Sequence, residues 1–279
     1  MIAAIRRIDP LAWLAVPATA YLAFAFALPL GLLLVKSVWT ADGFTFASYV
    51  KFFADPFSWR VLTNTLKIAF LVTLVTLLLG YPVAFALAMS RGWLQVMLLV
   101  AMILPLSVGA VVKAFSWQIV LRRDGVVNRF LEWTGLIDEP VRFLFTETGL
   151  VLGAANIFLP FMVLPIYSVV RLIDPRLSEA AATLGARPVY GFLRINAILS
   201  LPGVVAGIAF VFSLSISMYV IPSLLIGDRY QLLATLTGRS FLFLRNETLG
   251  STVAVILLII AIAVVMASSY LSNRLRSAR

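Results

Sequence analysis

Few residues in this chain can do chemistry, and their types exclude most reactions. None of the 279 residues is histidine or cysteine, so there is no imidazole base, no thiol nucleophile and no His- or Cys-ligated metal. No cofactor is expected either. Neither a Gly-x-Ser-x-Gly turn nor a GxxxxGK[ST] phosphate loop occurs, which removes the serine-hydrolase elbow and the ATP-binding loop. What remains is charge pairing, hydroxyl hydrogen bonding and the faces of aromatic rings. One carboxylate stands out by its context. Glu179 lies within residues 171–203, RLIDPRLSEAAATLGARPVYGFLRINAILSLPG. Asp174-Pro175 supplies a capping residue followed by a first-turn proline. Leu177, Ala180, Ala181 and Leu184 recur at helical spacing, and Gly185 can end the helix in a left-handed cap. Pro188 then favours a fresh start, with Tyr190, Phe192, Leu193 and Ile195 as a second short amphipathic run. A helix with a small-residue face and one exposed acid suits close approach by a basic partner. A helix lying on a bilayer fits the same residues, and these physical considerations leave the two readings even.

The elements that must position this segment are apolar. The chain is 62% hydrophobic and only 12% charged, with a mean hydropathy of +1.04, whereas soluble domains are about half apolar and a quarter charged. The solvent for much of it is therefore lipid. Stretches long enough to cross a bilayer fall at about 11–35, 63–88, 94–121, 150–170, 199–222 and 250–271. The expectation is an all-α integral membrane protein, one domain over 1–279 with six transmembrane helices. The run after Pro10 is too long for the apolar core of a signal peptide, so it reads as a retained span behind a short tail. Prolines 17, 29, 82, 105, 160 and 165 fall inside spans, where neighbouring groups can satisfy the freed backbone.

Six spans put both termini on one side, together with the turn at Arg91 and the loop 171–198. That side carries ten basic and three acidic residues, beginning with Arg6, Arg7 and Asp9 and ending with Arg274, Arg276 and Arg279. The other side carries nine of each in the loops 39–62, 122–149 and 223–249. Lys and Arg counts nearly tie, but the first side concentrates them in short segments beside spans, which places that side in the cytoplasm. The arginines are dispersed, so nucleic acid is not an expected partner.

Here a resemblance becomes specific. Glu179-Ala180-Ala181, Gly185-Ala186, Ile195 and Leu201-Pro202-Gly203 resemble the EAA loop of binding-protein-dependent ABC importer permeases. The usual pattern also places Leu-Pro two residues beyond the Ile, where this chain has Ala197-Ile198. Gly125-Val126-Val127-Asn128, Thr134-Gly135-Leu136-Ile137, the run Leu159 to Tyr167 and the run Tyr219 to Gly227 are similar to the spermidine/putrescine-type branch. The resemblance implies the six-span type I importer fold in the bacterial inner membrane. It also implies a second related permease, two copies of an ABC ATPase subunit and a periplasmic substrate-binding protein. In that family the loop is a coupling helix seated on the ATPase, so Glu179, Ala180, Ala181, Gly185 and Ala186 become the coupling residues, and catalysis belongs to the ATPase.

Substrate contacts are harder to read. The predicted spans contain no acid, so a polyamine would not be held there by intramembrane ion pairing. Trp117, Tyr167 and Tyr219 could guide a cation on their ring faces or serve as interface anchors. Lys113 is either a pathway residue or a snorkelling side chain. Ser213, Ser215 and Ser217 alternate in the fifth span, as pathway lining or as helix–helix glue. A related permease for an opine, a thiamine-like cation, a phosphonate or ferric iron fits the same residues. A secondary transporter would need in-span acids or a broken-helix ion site; this chain lacks the former, and its two halves show no clear repeat. A membrane enzyme lacks the residues for its chemistry.

Overall fold

The computed structural model describes residues 10–40, 43–227 and 230–277. Arg6, Arg7, Asp9, Asp42, Asp228, Arg229 and Arg279, counted above for the orientation, lie outside them. Apart from a two-residue hairpin, β1 (Trp39–Thr40) and β2 (Gly43–Phe44), the regular structure is helical. The helices are α1 (Pro10–Val38), α2 (Ala47–Ala54), α3 (Pro56–Met89), α4 (Trp93–Ile103), α5 (Ala110–Val120), α6 (Val126–Trp133), α7 (Glu147–Val170), α8 (Arg176–Thr183), α9 (Pro188–Gly191), α10 (Ala197–Ser217), α11 (Val220–Leu225), α12 (Leu233–Leu242) and α13 (Glu247–Ser277).

Among the described residues, five helical runs are long and apolar enough to cross a membrane: within α1, α3, α7, the run from α9 through α10, and α13. The sixth predicted span, 94–121, is not one helix. α4 passes into a single 3₁₀ turn at Leu104–Ser107, and α5 leaves at 107° to it. Pro105 withdraws an N–H and clashes with the turn before it. Val108 and Gly109 are then extended, with ψ of 129° and 147°. The chain thus crosses as a broken pair or re-enters. The predicted fifth span also overshoots. α10 ends at Ser217, Met218 is extended, and Pro222 belongs to the separate helix α11. Pro222 has no N–H for the carbonyl four residues back, at Met218, which removes one bond that would otherwise span the break. Three other spans begin earlier than hydropathy suggested, α3 at Pro56, α7 at Glu147 and α13 at Glu247.

The core lies where α3, α7 and α10 cross. Ile68, Leu87, Leu150, Met162 and Ile166 are fully buried there. Small residues set the spacing: a β-carbon on Gly80 would meet Met162 Cγ at 3.0 Å, and one on Gly207 would meet Met162 Sδ at 2.7 Å. Such contacts let helices approach closely where lipid supplies no hydrophobic drive. Thr65, Thr73 and Thr76 are buried, and each donates its hydroxyl to the carbonyl four residues back at 2.5–2.7 Å. This satisfies polar groups within the helix itself. At one end of the bundle, Phe52, Val61, Leu233, Leu236, Val253 and Ile256 form a second cluster joining α2, α3, α12 and α13. α1 packs against α13, and Lys36 pairs with Glu247 at 2.5 Å where they meet.

Candidate coupling surface and translocation pathway

The loop after α7 folds as the sequence suggests. Asp174 Oδ1 accepts the Arg176 N–H at 2.9 Å, capping α8 around Pro175. At the far end Gly185 has φ +83°. Its N–H reaches Ala182 O and the Ala186 N–H reaches Ala181 O, both at 3.0 Å. This is the paired C-terminal arrangement that a left-handed glycine permits. α9 restarts at Pro188. The Leu177–Leu184 stripe is not buried inside the chain: Leu184 is 87% exposed, and Leu177 and Ala180 are exposed too. Ala181, Gly185 and Ala186 line an open hollow of about 520 Å³ with Leu184, Arg187 and Tyr190. Glu179 is exposed and forms no ion pair among the described residues. The surface therefore offers an apolar socket beside one unneutralised carboxylate, which is suited to a partner and not to a reaction.

The pathway candidates do not converge. Ser217 and Tyr219 line one hollow of about 330 Å³ with Thr237 and Gly238 of α12 and Ala254 and Leu257 of α13. Trp117 packs on Gly153, and its Nε1 donates to Asn156 Oδ1 of α7 at 3.3 Å. Tyr167 is buried, and its hydroxyl accepts from Gln95 Nε2 of α4 at 3.1 Å. It stands eleven residues beyond Asn156 on α7, roughly 16 Å along the axis. Lys113 is half-buried in the first turn of α5, directly after the break, and forms no ion pair among the described residues. Ser215 is buried and donates to Val211 O, Ser217 donates to Ser213 O, and the Ser213 hydroxyl is buried with no hydrogen-bond partner.

Some positions did not stand out in the sequence. Glu147, the first residue of α7, pairs with Lys67 of α3 at 2.5 Å, so a carboxylate does meet a spanning helix at its end. Burial, and then the Glu147 carboxylate, push the nearby Tyr230 phenol above its usual range, and its hydroxyl makes no hydrogen bond of acceptable geometry. Asn128 is fully buried. Its Nδ2 donates to Arg122 O and Val141 O, and its Oδ1 accepts the Val141 N–H, stapling the loop between α5 and α7. Gln95, Gln118 and Asn156 are amides inside otherwise apolar predicted spans, the signal by which they could have been found. Gln118 Nε2 donates to Leu224 O and ties α5 to α11.

The model of the family described as binding-protein-dependent transport system inner membrane component matches residues 77–277. The chain is 34% identical over 226 residues to the spermidine/putrescine transport system permease protein PotB of Escherichia coli (strain K12), covering 81% of this chain and 80% of the relative. It is 31% identical over 262 residues to PotB of Haemophilus influenzae, 91% of each. Among solved structures, a bacterial alginate ABC transporter in complex with an alginate pentasaccharide-bound periplasmic protein superposes with a TM-score of 0.71 over 95% of this chain and 94% of that one, at 18% identity. That likeness concerns the fold alone. The chain therefore belongs to the family of binding-protein-dependent transport system inner membrane components: it is a multi-pass inner-membrane permease of an ABC importer and not an enzyme.

Proposed function

We propose that this permease carries spermidine, putrescine or a closely related organic cation from periplasm to cytoplasm by alternating access. The observation that carries the reading is the 31–34% identity, over most of both chains, to permeases named for spermidine and putrescine. The hollow bounded by Ser217 and Tyr219 suits such a solute, since a ring face and hydroxyls can hold an ammonium without a fixed carboxylate. In this reading both termini and the loop 171–198 face the cytoplasm. Two copies of an ABC ATPase subunit carry out the hydrolysis, and one docks on α8 of this chain. Glu179 makes the charged contact, and Ala180, Ala181, Gly185 and Ala186 form the packed socket. A second, homologous permease completes the pathway, and a periplasmic binding protein delivers the solute.

One observation favours a second cargo class. Lys113, a cation beside the break between α4 and α5, suits a solute that also carries a carboxylate or phosphonate. The test is co-purification of the tagged chain from its native membrane, followed by uptake of radiolabelled spermidine and putrescine into vesicles holding the recovered complex. Recovery of an ATPase and a second permease, with uptake saturating in either polyamine, supports the reading. Recovery of the complex with no uptake of either polyamine, but saturable uptake of a radiolabelled zwitterionic or anionic solute, selects the second.

A further inference from the structure

α8 and the foot of α10 are joined by a side-chain contact away from the docking hollow. Asn196 Nδ2 donates to Ser178 Oγ at 3.3 Å. Ser178 lies in the first turn of α8, next to Glu179. Asn196 is the last residue of a π turn, Phe192–Asn196, closed by the Ala197 N–H reaching back five residues to Phe192 O. A π turn holds one residue more than an α-helix can bond. The continuous run from Pro188 to Ser217 therefore bends there more readily than elsewhere. On its other side the turn is held to α3. Ser200 donates to Ala197 O at 2.9 Å, so the Tyr81 hydroxyl donates to Ser200 Oγ, at 3.1 Å. The Phe192 ring packs edge-on to Phe85 at 5.1 Å. The backbone route from α8 to α10 runs through the left-handed Gly185 and a restart at Pro188. Two such reversals transmit displacement poorly, whereas the Ser178–Asn196 bond crosses them directly.

We propose that the Ser178–Asn196 hydrogen bond is the strut through which α8 moves α10, with the π turn as its flexure. Asn196 is thus a positioning residue, acting through α10 on the pathway. The proposal rests on the reading of 171–198 as the ATPase-docking loop.

The chain lacks cysteine, so one placed at Ala209, half-exposed on α10 above the turn, is its single labelling site, read on the electrophoretic band of this chain. The experiment measures its maleimide labelling rate in the full permease–ATPase complex, with and without ATP and vanadate. In the parent the rate changes on trapping. In Asn196→Ala that change shrinks about fivefold or more, the weight of one neutral hydrogen bond, while the ATPase still co-purifies. Exchanging the partners, Ser178→Asn with Asn196→Ser, restores it. An undiminished change in Asn196→Ala, no change in the parent, or loss of the ATPase from Asn196→Ala would each overturn the strut. Glu179→Lys separates the underlying reading: if this variant keeps both the ATPase and the response, docking lies elsewhere, whatever Asn196 does.

Discussion

Gly203 of α10 meets Pro165 of α7 backbone to backbone: a β-carbon on the glycine would lie 2.8 Å from the Pro165 carbonyl oxygen and 3.0 Å from Ile166 Cα. Neither atom is the end of a flexible side chain, so the helices must part to admit one. Gly203→Val is expected to cost about 1–3 kcal/mol through overpacking, read as a lower melting temperature of the solubilised protein. Gly31→Ala in α1, where a β-carbon meets nothing within 4 Å, should leave it unchanged or slightly raised. Equal melting of both variants would show that the α7–α10 crossing is not tight.

Asn128 makes three hydrogen bonds from a fully buried position. Asn128→Ala leaves the Val141 N–H and two carbonyls without that partner and should cost about 1–3 kcal/mol. Limited proteolysis of sealed vesicles should then cut within residues 122–146 faster than in the parent. Asn128→Asp, which keeps the acceptor and loses the donors, should fall between them.

The Asp55 carboxyl is held below its usual range, first by accepting the Phe57 N–H and further by the Ser58 hydroxyl and the field of Arg60. A carboxyl whose pKa is lower in the folded state contributes stability above its ordinary pKa. That contribution is lost as pH falls through the folded value. Melting of the parent should therefore decline across that acid range. Asp55→Asn, which still caps α3, should decline less steeply. Parallel curves would mean that the cap does not couple to protonation.

Gly185→Val forces a branched residue into φ +83°, which costs at least about 1–2 kcal/mol and unmakes the end of α8. The expected readout is weaker recovery of the ATPase in a pull-down with membrane insertion unchanged. Gly185→Asn, tolerated in left-handed caps, should retain most of it. If Gly185→Val pulls down as much ATPase as the parent, the turn is not part of the docking surface.

Trp133 and Leu184 are 82% and 87% exposed, at opposite ends of the bundle. Single cysteines there should label from opposite faces of oriented vesicles, Trp133→Cys from the periplasmic side and Leu184→Cys from the cytoplasmic side. Labelling of both from one face would invert the proposed topology.

The loop between α7 and α10 was legible because its signals are local. Asp174-Pro175 sets a helix start and Gly185 a left-handed stop within a dozen residues, and both act through backbone geometry that needs no distant partner. The spans α1, α7 and α13 were legible for a similar reason: hydropathy reports transfer from water to lipid residue by residue. The missing histidine, cysteine and phosphate loop also narrowed the chemistry open to the chain. What only the tertiary structure decided depends on contacts between distant segments or on the direction of the chain after a break. Hydropathy cannot distinguish a straight span from the 107° break at Pro105–Gly109, because both bury the same apolar residues. Nor could spacing tell that Tyr167 would be spent on Gln95 and Trp117 on Asn156 while Ser217 and Tyr219 share a hollow. Those pairings are set by which helix faces pack together, and Gly80, Gly203 and Gly207 permit that packing only once α3, α7 and α10 are side by side.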